Sequence, residues 1–327
     1  MTEPIKVGYS LGPLLSVDEL LACARLADDS NSVDSIWVPE SWGRESFSTL
    51  GAVSQVTKKV RLGTSILSIF SRTPATVAMG ASTLDLLSSS RCVIGLGAST
   101  DAIVENWHGI VFEKPVQRMR EFLQCIRLMV SGDRVNFEGE FFKVRNFKLL
   151  HTPARKSVPI FVGAVNRRMI SLAAELADGA ILYLRPLDRL KETARMFRRE
   201  SGGRNFEVAC SIICSVSDSE PEMARQRAAQ TLAFYVAVGK YYRKFLAENG
   251  FKNETEAVAE AYAREGIGQA TLQVTPRMLR SLTISGTREE CRKALSDYVS
   301  AGVSLPIIQF NPVGSTESSF RELLSTF

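Results

Sequence analysis

Histidine is almost missing from this chain, which holds only His108 and His151 in 327 residues. The six cysteines, at positions 23, 92, 125, 210, 214 and 291, form no Cys-x-x-Cys pair and lie far from either histidine. Zinc-type ligand spacing is therefore absent, and no metal site is expected. Cys210 and Cys214, four apart on an expected strand, would face one side of a sheet, and all six thiols read as small, reduced, packed groups. No apolar run approaches the ~18 residues a membrane span needs. Residues 1–6 lack the basic-then-apolar layout of a secretory leader, so a soluble, cytoplasmic protein is expected. Basic tracts are missing too: 40 Lys and Arg stand against 35 Asp and Glu, scattered along helices, which excludes a nucleic-acid partner. Finally, no Gly-x-Gly-x-x-Gly follows the first strand, where a nicotinamide-binding Rossmann fingerprint would have to lie.

What is present is a repeated strand-then-helix rhythm in a chain with 45% hydrophobic residues, enough for a sizeable core. Strands are expected at residues 5–10, 35–38, 60–67, 92–97, 159–163, 180–183, 206–212 and 305–310, each leading toward a segment of helical periodicity. Pro74 fits the first turn of the helix after the third strand. Alternation between Val135 and Leu150, with Gly139 at its turn, predicts a hairpin outside this rhythm. Eight such units predict an α/β fold of the (β/α)8 or TIM-barrel type, a single domain over residues 1–327. A helix-rich stretch, about 218–282, is longer than one crossover needs and reads as a helical insertion before the last βα unit.

In such a barrel, ligands bind at the carboxyl ends of the strands. Those ends carry Ser10, Glu40-Ser41-Trp42, residues 65–68, Gly97-Ala98-Ser99, Gly163-Ala164-Val165-Asn166, Leu184-Arg185 and Asn311. The small residues after the fourth strand let a ligand approach the backbone, although close strand packing also explains such glycines. Gly163-Ala-Val-Asn-Arg-Arg168 joins a buried strand to a helix start beside two arginines, which suits a phosphate. An ordinary turn with solvated arginines is the other reading.

Trp37-Val-Pro-Glu-Ser-Trp-Gly-Arg44, Arg61-Leu-Gly63, Ser71-Arg-Thr-Pro74, Leu84-Asp-Leu-Leu-Ser88, Gly95-Leu-Gly97 and Asn106-Trp-His-Gly109 together resemble the luciferase-like superfamily. Within it they resemble the coenzyme F420-dependent oxidoreductases, the methylenetetrahydromethanopterin reductase group included. The likeness continues through Arg118-x-x-Glu121, Pro159-Ile-x-Val-Gly-Ala164 and Ile284-Ser-Gly286. It implies a non-proline cis peptide in the third strand, at Ser65-Ile66, under the ring of the cofactor. It implies cofactor contacts from Ser10, Thr64, Ser65, Ile66, Gly97, Ala98, Ser99, Gly163, Ala164, Val165 and Asn166. Relatives carry an acid followed by histidine after the second strand. Here the pair is Glu40-Ser41, and serine is no general base near neutral pH. Glu40 is then the candidate proton donor or ring partner, with Ser41 beside it as the second candidate catalytic residue. Ser10 stands where the methanopterin reductases tend to have glutamate.

The resemblance implies hydride transfer between F420 and a small organic or pterin-like substrate. The deazaflavin would supply the chemistry, and the protein would orient it and exclude water. The alternatives are an FMN-dependent monooxygenase of the same superfamily and a non-catalytic relative. Trp42, Phe70 and Trp107 are expected to wall the substrate pocket or to serve as core or dimer contacts. The small-residue helices after the second and third strands suggest a homodimer.

Overall fold

A computed structural model describes residues 5–327. Among them, eight parallel strands close into a barrel: Val7–Ser10, Val33–Val38, Arg61–Thr64, Cys92–Gly97, Ile160–Gly163, Gly179–Tyr183, Glu207–Val216 and Leu305–Phe310. Closure runs through the seventh strand, which pairs with the sixth at Glu207↔Gly179 and with the eighth at Ala209↔Leu305, while the eighth pairs with the first at Gly8↔Ile307. The expected barrel is therefore the observed one. Two pieces were not legible as separate elements: a short helix, Asp101–His108, after the fourth strand, and a strand, Thr283–Gly286, that pairs with the far end of the seventh.

Helices pack outside because their starts and faces fit that role. Ser16 and Thr287 form capping boxes with Glu19 and Glu290, satisfying two otherwise orphaned amide groups at each helix start. Asp28, near the end of the first helix, turns inward and accepts from the backbone N–H groups of Lys58, Lys59 and Val60 at 2.7, 2.7 and 3.0 Å, fixing the chain just before the third strand. Burial raises the Asp28 pKa, but these three bonds outweigh it and hold the carboxyl below its ordinary value. A lowered folded-state pKa means that this stabilisation is fully present above the unfolded value of about 3.9 and is lost as pH falls through the folded value. Asp28→Asn is accordingly expected to cost about 1–2 kcal/mol at neutral pH. In urea melts repeated at falling pH, the gap from wild type should narrow once pH drops below the unfolded value of about 3.9.

The hairpin Val135–Glu138 with Lys143–Phe147 is antiparallel, as expected. Its tip is held from the helix Pro115–Val130 by buried Glu121, which accepts from Glu140 and Phe141 N–H at 3.0 and 2.8 Å. Arg118, one turn earlier, lies over the rings of Phe70 and Phe141 at 4.7 and 4.6 Å.

Inside the barrel, alternate residues of each strand form layers. At the amino-terminal end Arg61 bridges Asp34 at 2.6 Å and Glu207 at 2.7 Å, tying the second, third and seventh strands together. Above it lies a fully buried apolar layer that includes Trp37, Val93, Phe161 and Ile307, with the Trp37 and Phe161 rings 5.7 Å apart. Gly63 and Gly95 make room for this filling. A Cβ on Gly63 would lie 2.3 Å from the Trp37 ring, and one on Gly95 would lie 1.9 Å from the Thr64 carbonyl oxygen. The barrel base is therefore closed, and only its carboxyl end can admit a ligand.

All six cysteines are free and buried. No helix among the described residues is long and apolar enough to cross a membrane.

Candidate active site at the barrel mouth

The next layer up changes character. Continuing the inward alternation gives Ser10, Ser65, Gly97, Gly163, Tyr183 and Gln309, small on one side of the mouth and polar on the other. Ser65, Gly163, Tyr183 and Gln309 are only half-buried, directly above residues that are buried. An inward-facing residue that stays partly exposed borders an open bowl. The third strand breaks at its edge, at Ser65–Ile66, whose peptide bond is cis as the resemblance implied, and the chain resumes pairing at Leu67↔Leu96. Ile66 packs on the apolar layer and stays half-buried, so it forms the floor. Gly97 lies against it: a Cβ there would come within 2.6 Å of the Ile66 side chain.

The opposite wall is polar and aromatic. Tyr183 donates from its hydroxyl to Gln309 Oε1 at 2.9 Å, and its ring meets those of Tyr235 and Tyr242 at 5.0 and 5.5 Å. Burial, with Tyr235 close by, pushes the Tyr183 hydroxyl well above its ordinary range, and burial raises Tyr235 too. Both phenols therefore stay protonated at neutral pH. Tyr235 and Tyr242 come from the helices Pro221–Val238 and Lys240–Leu246 of the helical stretch, which thus covers the mouth above the sixth to eighth strands. Buried Asn311 ties that cover to the barrel, donating to Gln309 O at 2.8 Å and accepting from Thr231 Oγ1 at 2.8 Å.

Not every expected residue faces the bowl. Thr64 is fully buried on the other side of its strand, its hydroxyl accepting from Gly95 N–H at 2.8 Å and donating to Gly95 O at 2.9 Å. It holds the third and fourth strands together and is not a ring contact, which corrects the expectation. Ala164 is also buried, its N–H spent on Ile181 O at 3.2 Å. Phe70 is buried and stacked on Phe112, so it is core, whereas Trp42 and Trp107 are exposed and meet edge to face at 5.4 Å.

Glu40 is occupied. Arg72 donates to both its oxygens, at 2.8 and 2.7 Å, and Ser46 N–H donates to one of them at 2.9 Å. A carboxylate accepting from a guanidinium and an amide is an anchor for its loop, with both oxygens already engaged. Proton donation by Glu40 is thus at odds with the geometry. Ser41 is exposed beside it.

On the far side, Ser99 adopts a left-handed conformation, φ 63°, just before the helix capped by Thr100. Asn166 caps the helix Arg167–Leu176, accepting from Met169 N–H at 3.0 Å and donating to Tyr241 Oη at 3.3 Å. Arg185 crosses over to donate to Val165 O at 2.5 Å. Next to this loop, a cavity of 640 Å³ is lined by Lys114, Gln117, Asn166, Arg167 and Arg168 where two helices begin, with no carboxylate among its walls. Helix starts and guanidinium groups together favour an anion.

These features are the ones to compare with known proteins. The profile of the luciferase-like monooxygenase family matches residues 4–305. The chain belongs to that family. This luciferase-like protein is 29% identical to the 5,10-methylenetetrahydromethanopterin reductase of Archaeoglobus fulgidus, over 98% of this chain and 97% of the relative. It is 28% identical to an F420-dependent glucose-6-phosphate dehydrogenase of Nakamurella multipartita, over 72% and 73% of the two chains. Its fold matches the coenzyme F420-dependent tetrahydromethanopterin reductase of Methanopyrus kandleri with a TM-score of 0.88, at 21% identity and 98% coverage of each chain.

Tyr183 and Gln309 are the mouth residues that reading strand ends alone did not find. The signal was available: a lone glutamine at the inward position of the strand Leu305-Pro-Ile-Ile-Gln-Phe310 breaks an otherwise apolar run.

Proposed function

We propose that this chain is an oxidoreductase of one folding unit that transfers hydride between coenzyme F420 and a small organic or pterin-like substrate. The observation that carries the reading is the bowl: a half-buried floor at Ile66, with Ser65, Gly97 and Gly163 leaving space for a planar ring over a closed apolar layer. The residues present fit the deazaflavin. The small half of the mouth accepts the ring, with Ser10, Ser65, Ala98 and Ser99 at its edge, and the loop Gly163-Ala-Val-Asn166 leads to the cationic cavity, which suits an anionic tail. The name of the Nakamurella multipartita relative supports the same coenzyme, and that of the Archaeoglobus fulgidus relative a pterin-like substrate.

When bound, F420 supplies a two-electron hydride carrier. The chain's share is to hold the ring on Ile66, to keep water out through the Tyr183, Tyr235 and Tyr242 cover, and to offer neutral phenol hydroxyls at the substrate side. Exposed Met79, Leu86 and Leu87 on the helix Pro74–Leu87 support pairing of two copies through that face, in the cytoplasm. Anaerobic oxidation of reduced F420 on addition of 5,10-methylenetetrahydromethanopterin tests the activity. Oxygen uptake with reduced FMN, and none of that F420 oxidation, would overturn it.

A further inference from the structure

Beside the bowl, residues 40–45, residues 71–73, Thr76 and His108 enclose a cavity of 570 Å³. Its ionisable side chains are Glu40, Arg44, Glu45, Arg72 and His108. Four of these are engaged. Arg72 binds both Glu40 oxygens and also pairs with Glu45, while Arg44 donates to the carbonyls of Gly12, at 3.2 Å, and Leu15. His108 alone has neither an ion-pair nor a hydrogen-bond partner among the described residues, and it is exposed to the cavity. The hydroxyls that share the wall do not exchange a proton near neutral pH, whereas an imidazole does.

The imidazole is also well placed. It ends the helix Asp101–His108, which Gly109 closes in the left-handed conformation, φ 65°. Its neighbour Trp107 packs on Trp42, one residue past Ser41, and Trp42 in turn meets Phe234, whose partner Tyr235 walls the bowl. The helix end is thereby tied to the second loop. Facing the imidazole, Glu40, Glu45 and Arg72 form one paired cluster and Arg44 adds a positive charge, while Glu105 of its own helix is turned to Phe112 N–H at 3.1 Å.

We propose that His108, arriving from the fourth loop, is the proton-carrying catalytic residue of this site, in the cavity whose second loop offers only Ser41 and a paired Glu40. The inference rests on the oxidoreductase reading above. Reduction of a C=O bond, or of a methylene carbon bridging two amine nitrogens, adds hydride from the reduced deazaflavin at carbon and a proton at the heteroatom that gives up a bond to that carbon: the π pair ends on the oxygen, or the C–N pair on the released nitrogen. His108 gives that proton, passing from imidazolium to neutral imidazole, and regains one from solvent through the open side of the cavity.

With only two histidines, nitrogen-15 imidazole spectra of the full chain resolve His108 from His151, which lies outside both cavities and serves as an internal control. In protein loaded with F420, adding tetrahydromethanopterin should move the His108 titration midpoint and leave that of His151 in place. His108→Gln should lower turnover of reduced F420 with 5,10-methylenetetrahydromethanopterin at least 100-fold and flatten the pH profile, with F420 affinity unchanged. Added imidazole, or the exchange Ser41→His in the same variant, should restore at least a tenth of the rate. If F420 binds but the His108 midpoint does not respond, the proposal is wrong and the coenzyme reading stands. If F420 itself fails to bind, the coenzyme reading falls and takes this assignment with it.

Discussion

Gly95→Ala is expected to lower folding stability by about 3 kcal/mol, the upper end of what overpacking a tight core costs. The added Cβ would sit 1.9 Å from the Thr64 carbonyl oxygen, a backbone atom that cannot swing aside as a side-chain tip can. The same carbonyl precedes the Ser65–Ile66 break, and the Thr64 hydroxyl is bonded to both polar groups of Gly95. Relief would therefore have to separate the third and fourth strands. Urea unfolding reads the loss as a lower midpoint at unchanged slope. Gly12→Ala is the control, because no atom lies within 4 Å of a Cβ there. Equal midpoints for Gly95→Ala and wild type would mean that the strands are not packed this closely.

Gly163→Val should do the opposite, sparing the fold and removing the coenzyme. A Cβ at Gly163 would have Leu96 O at 3.5 Å and Ile66 Cγ2 at 3.6 Å as its nearest neighbours, which is ordinary contact, and the valine would then project into the bowl. We expect stability to stay within about 1 kcal/mol of wild type, as for a side chain at a site with room. F420 affinity should fall about 100-fold, or about 2.7 kcal/mol, with Gly163→Ala near tenfold. Wild-type affinity in the valine variant would place the ring somewhere other than above Ile66.

The barrel was legible because each strand is bounded by turn residues and followed by a helix with one apolar face, a pattern that survives without knowledge of tertiary contacts. The strand Thr283–Gly286 was not, since four residues between two helices carry too little periodicity to stand out, and only the long seventh strand gives them a partner. At the site, strand ends named the right loops but not which side chains turn inward. Thr64 and Ser65 are neighbours in sequence, yet the alternation of a strand sends one to the strand-to-strand bond with Gly95 and the other to the bowl. The engagement of Glu40 escapes its own motif for a related reason. Its partner Arg72 lies 32 positions away, and a pairing of that kind is written in the packing of two loops, not in either motif. Nothing in the helix that carries His108 shows that it shares a cavity with Ser41.

Fluorescence titration of the purified wild-type chain with F420, repeated with FMN as competitor, goes most directly to the claim that the bowl over Ile66 holds a deazaflavin. Saturable binding of one F420 per chain at micromolar concentration, undisturbed by excess FMN, is the predicted result. Saturable binding of FMN with none of F420 would contradict it.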